Sequence, residues 1–137
     1  MKAMISTYNM EPCPNMTEIS NNDGNFTILH CNSWERSAQL CKQIGKQLAV
    51  PKNPEENKKF YDVMASNGFG HWQLGIREKE GGGWVDVDGQ GLTFTNWAPN
   101  FPTSKVPPSK GIVLLGIKGK GTWENNWINI DYNALCV

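Results

Sequence analysis

Four cysteines, at positions 13, 31, 41 and 136, constrain this chain more than any other feature. No two of them form a Cys-x-x-Cys pair, and the only histidines are His30 and His71. That spacing speaks against a structural zinc site. An even number of cysteines reads instead as two disulfides, and so as an oxidising, extracellular setting. N-glycosylation triplets beginning at Asn15 and Asn25 agree with secretion. The start, Met1-Lys2-Ala3-Met4, opens no apolar stretch of the ~7–15 residues a secretory signal needs. It reads as a mature domain carrying a new start methionine.

A chain of 137 residues makes one domain and buries roughly 70% of its unfolded surface. Its 39% hydrophobic and 19% charged residues describe an ordered globular protein. Lys plus Arg and Asp plus Glu both number 13, so no global field draws in nucleic acid or an anionic membrane. No apolar run is long enough to insert as a transmembrane helix.

Residues 1–24 lack periodicity and read as an N-terminal extension, or a loose first strand, ahead of a domain over 25–137. Phe26-Thr27-Ile28-Leu29 reads as a short strand. Ser33 can cap a first helix in which Trp34, Ala38, Cys41 and Ile44 share one face, with Gly45 at the left-handed stop. Residues 48–51 read as a short strand or an extended link. Asn53, Pro54 and Glu56 start a second helix with an apolar stripe of Phe60, Val63 and Met64, ended by Asn67-Gly68.

Beyond residue 70 the signals are those of strands and loops. Residues 72–76 read as a strand, and Gly81-Gly82-Gly83 as a turn. Residues 84–87 and 92–95 read as the arms of a hairpin about Asp88-Gly89. Residues 98–111, with Pro99, Pro102, Pro107 and Pro108, form a long loop. Residues 112–117 are apolar enough for a buried strand, residues 119–121 turn the chain, and residues 133–137 make the last strand. Two early helices followed by short strands indicate an α+β domain. Most of the six tryptophans are expected in the core. No acid/base or nucleophile constellation forms around either histidine, so an enzyme is not expected.

The ordered set Trp34, Cys41, Leu74-Gly75-Ile76, Trp84, Asp88-Gly89, Leu92-Thr93-Phe94-Thr95-Asn96-Trp97, Pro102, Trp123 and Ala134-Leu135-Cys136 resembles a C-type lectin-like domain. The resemblance covers residues 25–137. It implies a double-loop α+β fold, with two helices, small antiparallel sheets, paired termini and a long loop that binds ligand. It also implies a disulfide from the first helix to the last strand, Cys41 to Cys136. Long-form members carry a further N-terminal pair, for which Cys13 and Cys31 stand here at unusual spacing. The inner disulfide of the family has no counterpart, since neither the Gly111–Ile112 position nor Ile128 is cysteine.

Sugar-binding members hold calcium with a Glu-Pro-Asn or Gln-Pro-Asp triplet on the long loop and a Trp-Asn-Asp triplet after it. The matching positions here are Phe101-Pro102-Thr103 and Trp123-Glu124-Asn125. Calcium takes about six to eight oxygen ligands, several usually carboxylate. Between Gly89 and Trp123 there is no Asp or Glu, while Lys105, Lys110, Lys118 and Lys120 add positive charge. The resemblance therefore implies a secreted recognition module for a carbohydrate or protein, with no cofactor and no metal at the usual site. The ligand is expected at Phe101, Thr103, Lys105, Lys110, Glu124 and Asn125, and the lysines suit an anionic glycan or an acidic protein surface. The alternatives are a calcium-dependent lectin with an unorthodox ligand set, and a structural or inhibitory protein-binding module.

Overall fold

The computed structural model describes residues 16–107, 110–128 and 130–137. Cys13, Asn15 and the side chain of Cys31 lie outside that description, and with them the Cys13–Cys31 pairing and the first glycosylation triplet.

Strands β1 (Met16–Asn21) and β2 (Gly24–Asn32) form a hairpin with Met16 opposite Leu29 and Asn21 opposite Gly24. Strand β2 pairs in turn with β7 (Tyr132–Cys136), which brings the two ends of the domain together. Strand β3 (His71–Glu78) runs parallel to β7, with Trp72 beside Asn133. Its other neighbours, the short β4 (Trp84–Asp86) and β5 (Gly111–Gly116), are antiparallel. Strand β6 (Trp123–Trp127) pairs antiparallel with β5. The β3–β7 contact thus joins antiparallel pieces into one mixed sheet ordered β1-β2-β7-β3-β5-β6.

Both expected helices form. In α1 (Trp34–Gln43) the Ser33 hydroxyl accepts from the Arg36 N–H at 3.2 Å. Ile44, expected on the buried face, is the C-cap and is exposed, and Gly45 follows in the left-handed region at φ +77°. In α2 (Pro54–Ala65) the Asn53 side chain accepts from Glu56 N–H, while the Glu56 carboxylate turns back to accept from Lys52 N–H, both at 2.8 Å. The first bond satisfies an N–H that the helix start leaves without an intrahelical partner, and the second ties the residue before the cap onto the first turn. Phe60, Val63 and Met64 are buried as the spacing predicts.

Each helix closes one of two apolar clusters. Phe60, Val63 and Met64 of α2 pack with Trp72, Leu74, Ile76 and Trp123. Trp34 and Cys41 of α1 pack with Leu29, Leu48, Ala134 and Cys136. Strand β5 serves both, because successive side chains point to opposite faces. Val113 and Leu115 belong to the first cluster, Ile112 and Leu114 to the second. Its unbroken apolar run follows from burial on both faces. Trp34 adds a polar tie, donating its indole N–H to the Leu74 carbonyl at 2.8 Å. The Cys41–Cys136 disulfide forms as expected, inside the second cluster, with the two residues 95 apart in sequence.

Two stretches depart from the sequence reading. Residues 92–95 do not continue as a hairpin arm. After the single bridge between Val85 and Gly91 the chain leaves the ladder, and Leu92 and Phe94 turn to pack on the α2-side core. Residues 123–127, assigned to no element from the sequence, form β6. Trp-Glu-Asn-Asn-Trp has no apolar alternation, so hydrophobic periodicity could not reveal the strand.

Candidate functional site: the long loop and its strand

Strand β6 is the rail on which the long loop is hung. At its first residue the Trp123 N–H donates to the Asn96 carbonyl at 2.8 Å, and the Ala98 N–H donates to the Trp123 carbonyl at 2.9 Å. Midway along, the Asn125 side chain grips Thr103 twice. Its Oδ1 accepts from the Thr103 N–H at 2.8 Å and its Nδ2 donates to the Thr103 carbonyl at 2.9 Å. Just past the far end of β6, the Ile128 N–H donates to the Lys110 carbonyl at 2.7 Å.

Aromatic packing stiffens the root of the loop. Trp97 stands edge-on to Trp123, with centroids 5.8 Å apart, and also meets Trp84 at 5.3 Å. Within the loop, Val106 is buried, and a Cβ added at Gly111 would lie 3.3 Å from both Val106 Cγ1 and Trp84 Cη2. The Phe101–Pro102 peptide bond is cis, and Asn100 before it takes a left-handed φ of +70°. Asparagine is among the few residues other than glycine that visit that region readily.

The six residues named from the sequence do not converge on one point. Phe101 and Thr103 are half-buried in the loop, whereas Lys105 and Lys110 are exposed. Asn125 is 5% exposed, and both ends of its amide are committed to Thr103. Glu124, its neighbour, takes the opposite face of β6, as strand alternation requires. There its carboxylate lies 3.2 Å from His71 Nε2, reaching across the end of β5 at Gly116. A Cβ at Gly116 would sit 3.3 Å from that same nitrogen, so glycine there leaves room for the pair. The Glu124 charge is also felt at Tyr132, whose phenol is held above its usual range mainly by burial. A hydrogen bond of 3.0 Å from Asn126 Nδ2 to the Tyr132 hydroxyl acts in the opposite direction.

His71 and Asn96 carry contacts to this region that the sequence did not single out. The first faces Glu124 only because β5 lies between their strands. The second donates its amide to the Gly121 carbonyl at 2.9 Å. The lysines also separate. Lys105 and Lys110 lie on the loop, while Lys118 and Lys120 lie at the β5–β6 turn, roughly 20 Å away along a six-residue strand.

A paired-helix domain closed by a disulfide between α1 and the last strand, with a long loop strung along an inner hairpin, is the architecture of C-type lectin-like recognition domains. The sequence matches the family described as Lectin C-type domain over residues 30–137, and the chain belongs to that family. Among solved structures, it is similar to the C-type lectin CEL-I from Cucumaria echinata, with TM-score 0.75 and 16% identity over 92% of this chain and 96% of that one. It is similar to the carbohydrate-recognition domain of the mouse scavenger receptor C-type lectin, with TM-score 0.67 and 17% identity over 90% and 94% of the two chains. A third similar structure is SPL-1 in complex with GlcNAc, with TM-score 0.66 and 19% identity over 81% and 85%.

Proposed function

We propose that this protein is an extracellular recognition module that binds a carbohydrate or protein ligand at its long-loop end, without calcium at the family's usual site. The reciprocal Asn125–Thr103 pairing carries the reading. The amide oxygen that would have to face an ion accepts a backbone hydrogen bond, and the amide nitrogen holds the loop from the other side. Glu124 turns to His71 on the opposite face, and Phe101 stands where a carboxylate or amide ligand would be needed. This donor set does not suit calcium, which demands several converging oxygens. What the loop offers a ligand is the Phe101 ring, the Thr103 hydroxyl and the Lys105 and Lys110 ammonium groups. Those groups favour an anionic glycan or an acidic protein surface, bound weakly per site and more weakly in salt. The GlcNAc complex of the similar SPL-1 supports a sugar as the ligand class. Asn25, exposed beside the β1–β2 turn, is the acceptor for glycosylation in this reading.

A glycan array probed with and without chelator tests the proposal. Binding is expected to survive chelation. Replacing Phe101, Lys105 and Lys110 together by alanine should weaken it about tenfold, the summed effect of one ring and two exposed charges. Retention lost on chelation, or unchanged affinity in the folded triple variant, would overturn it.

A further inference from the structure

We infer that a second ligand pocket, for a single acidic sugar unit, lies between α2 and the β5–β6 turn, away from the Phe101–Lys110 loop. A cavity of about 350 Å³ opens there, within the range of small-molecule sites. The rings of Tyr61 and Phe94 line it, both half-buried and so presented rather than hidden. Phe94 is held by edge contact with Trp123, centroids 5.7 Å apart at 86°. Tyr61 is carried on α2 and packs against the same core. These are rigid supports, and such rings match the apolar face of a pyranose.

The polar groups around the rings have a definite sense. Asn57 is fully used, donating to the Gly121 carbonyl at 3.0 Å and accepting from Trp123 Nε1 at 2.8 Å, and it forms a fixed wall. Asn96 also donates its side-chain amide to the Gly121 carbonyl, but its side-chain oxygen Oδ1 accepts no hydrogen bond within the described residues. Asp62, half-exposed and bonded to Lys58 Nζ at 2.7 Å, adds a carboxylate that can accept more. Acceptors of this kind suit sugar hydroxyls, which donate. Lys120 supplies the remaining feature. Its ammonium makes no ion pair among the described residues, whereas Lys58 in the same wall is already paired. Its backbone holds a left-handed φ of +57° at the tip of the turn. An unpaired cation beside two rings and two hydroxyl acceptors fits a hexose that bears a carboxylate or a sulfate ester.

The test uses the whole domain, isotopically labelled, and follows amide shifts on adding methyl glucuronide, N-acetylglucosamine 6-sulfate or neutral methyl glucoside. Either acidic sugar, or both, is expected to shift resonances of Tyr61, Phe94, Asn96 and Lys120, with neutral glucoside about fivefold weaker. The two acidic probes separate carboxylate from sulfate recognition. Lys120→Gly removes the ammonium while suiting the positive φ, so the fold is kept. It should bring acidic-sugar affinity down about fivefold, to that of the glucoside. The alanine triple variant at Phe101, Lys105 and Lys110 should bind the acidic sugars at this pocket as before, whatever it does at the loop. No shift in the pocket from either acid at about 10 mM (roughly ten times a weak Kd of about 1 mM), or unchanged affinity in Lys120→Gly, would overturn the inference.

Discussion

The two ends of this domain are fastened by different means. At one end, β2 and β7 pair along Thr27 to Asn32, and the Cys41–Cys136 bond ties α1 to the last strand inside a buried apolar cluster. At the other end the long loop, residues 98–111, carries no cysteine. It is held to β6 by backbone hydrogen bonds at Trp123 and Ile128 and by the Asn125 amide between them. One end is thus secured through the covalent chain and the hydrophobic core, the other through a few directional polar contacts. Damage to the first should be felt by the whole domain, and damage to the second mainly by the loop.

The sharpest way to break this contrast is to open the covalent end. Replacing Cys41 and Cys136 together by alanine should cost about 4 kcal/mol, because the bond closes a loop of 95 residues and so restricts the unfolded chain strongly. Denaturant titration would measure it. A loss below about 1 kcal/mol would mean that strand pairing alone secures this end.

A smaller effect is expected at the polar end. Asn125→Leu leaves the Thr103 N–H and carbonyl without their side-chain partner in a half-buried setting, which should cost about 1–3 kcal/mol. It should also speed protease cleavage within residues 98–107 more than it lowers global stability. Equal effects on the loop and the whole domain would erase the distinction between the ends.

The smallest expected effect is that of calcium. Millimolar calcium against chelator should move the melting temperature by less than about 1 °C, since only a ligand that binds the folded state raises its stability. A shift of several degrees would mean that the Asn125–Thr103 pairing gives way to an ion.

The two ends also differed in how well the sequence announced them. Helix caps are local, so Ser33, Asn53 and Glu56 could be read directly from their neighbours. The Cys41–Cys136 bond, by contrast, came from family resemblance. Strand β6 was not readable. Its inward residues are Trp123 and Asn125, and a buried asparagine looks polar until its partner is known. The partner, Thr103, lies 22 residues upstream, and only the folded loop brings it near. For the same reason Glu124 and Asn125 looked like one motif, although strand alternation sends them to opposite faces. The four lysines are close in sequence, but the extended strand β5 carries Lys110 away from Lys118 and Lys120.

The fastening of the loop at three places on one strand has a consequence for how the surface can vary. Thr103 divides the loop into two arcs, one running from Ala98 and the other on to Lys110. Each arc behaves as a cassette: its outward residues can be exchanged, lengthened or recharged while the moorings and the core beneath stay as they are. Short insertions add little closure entropy, about 0.6 kcal/mol for each doubling of length. Binding preference can therefore drift through the arcs without passing through an unfolded intermediate. A library built on residues 99–102, 104, 105 and 107, with Val106 and Asn125 kept, should retain folded members in large proportion.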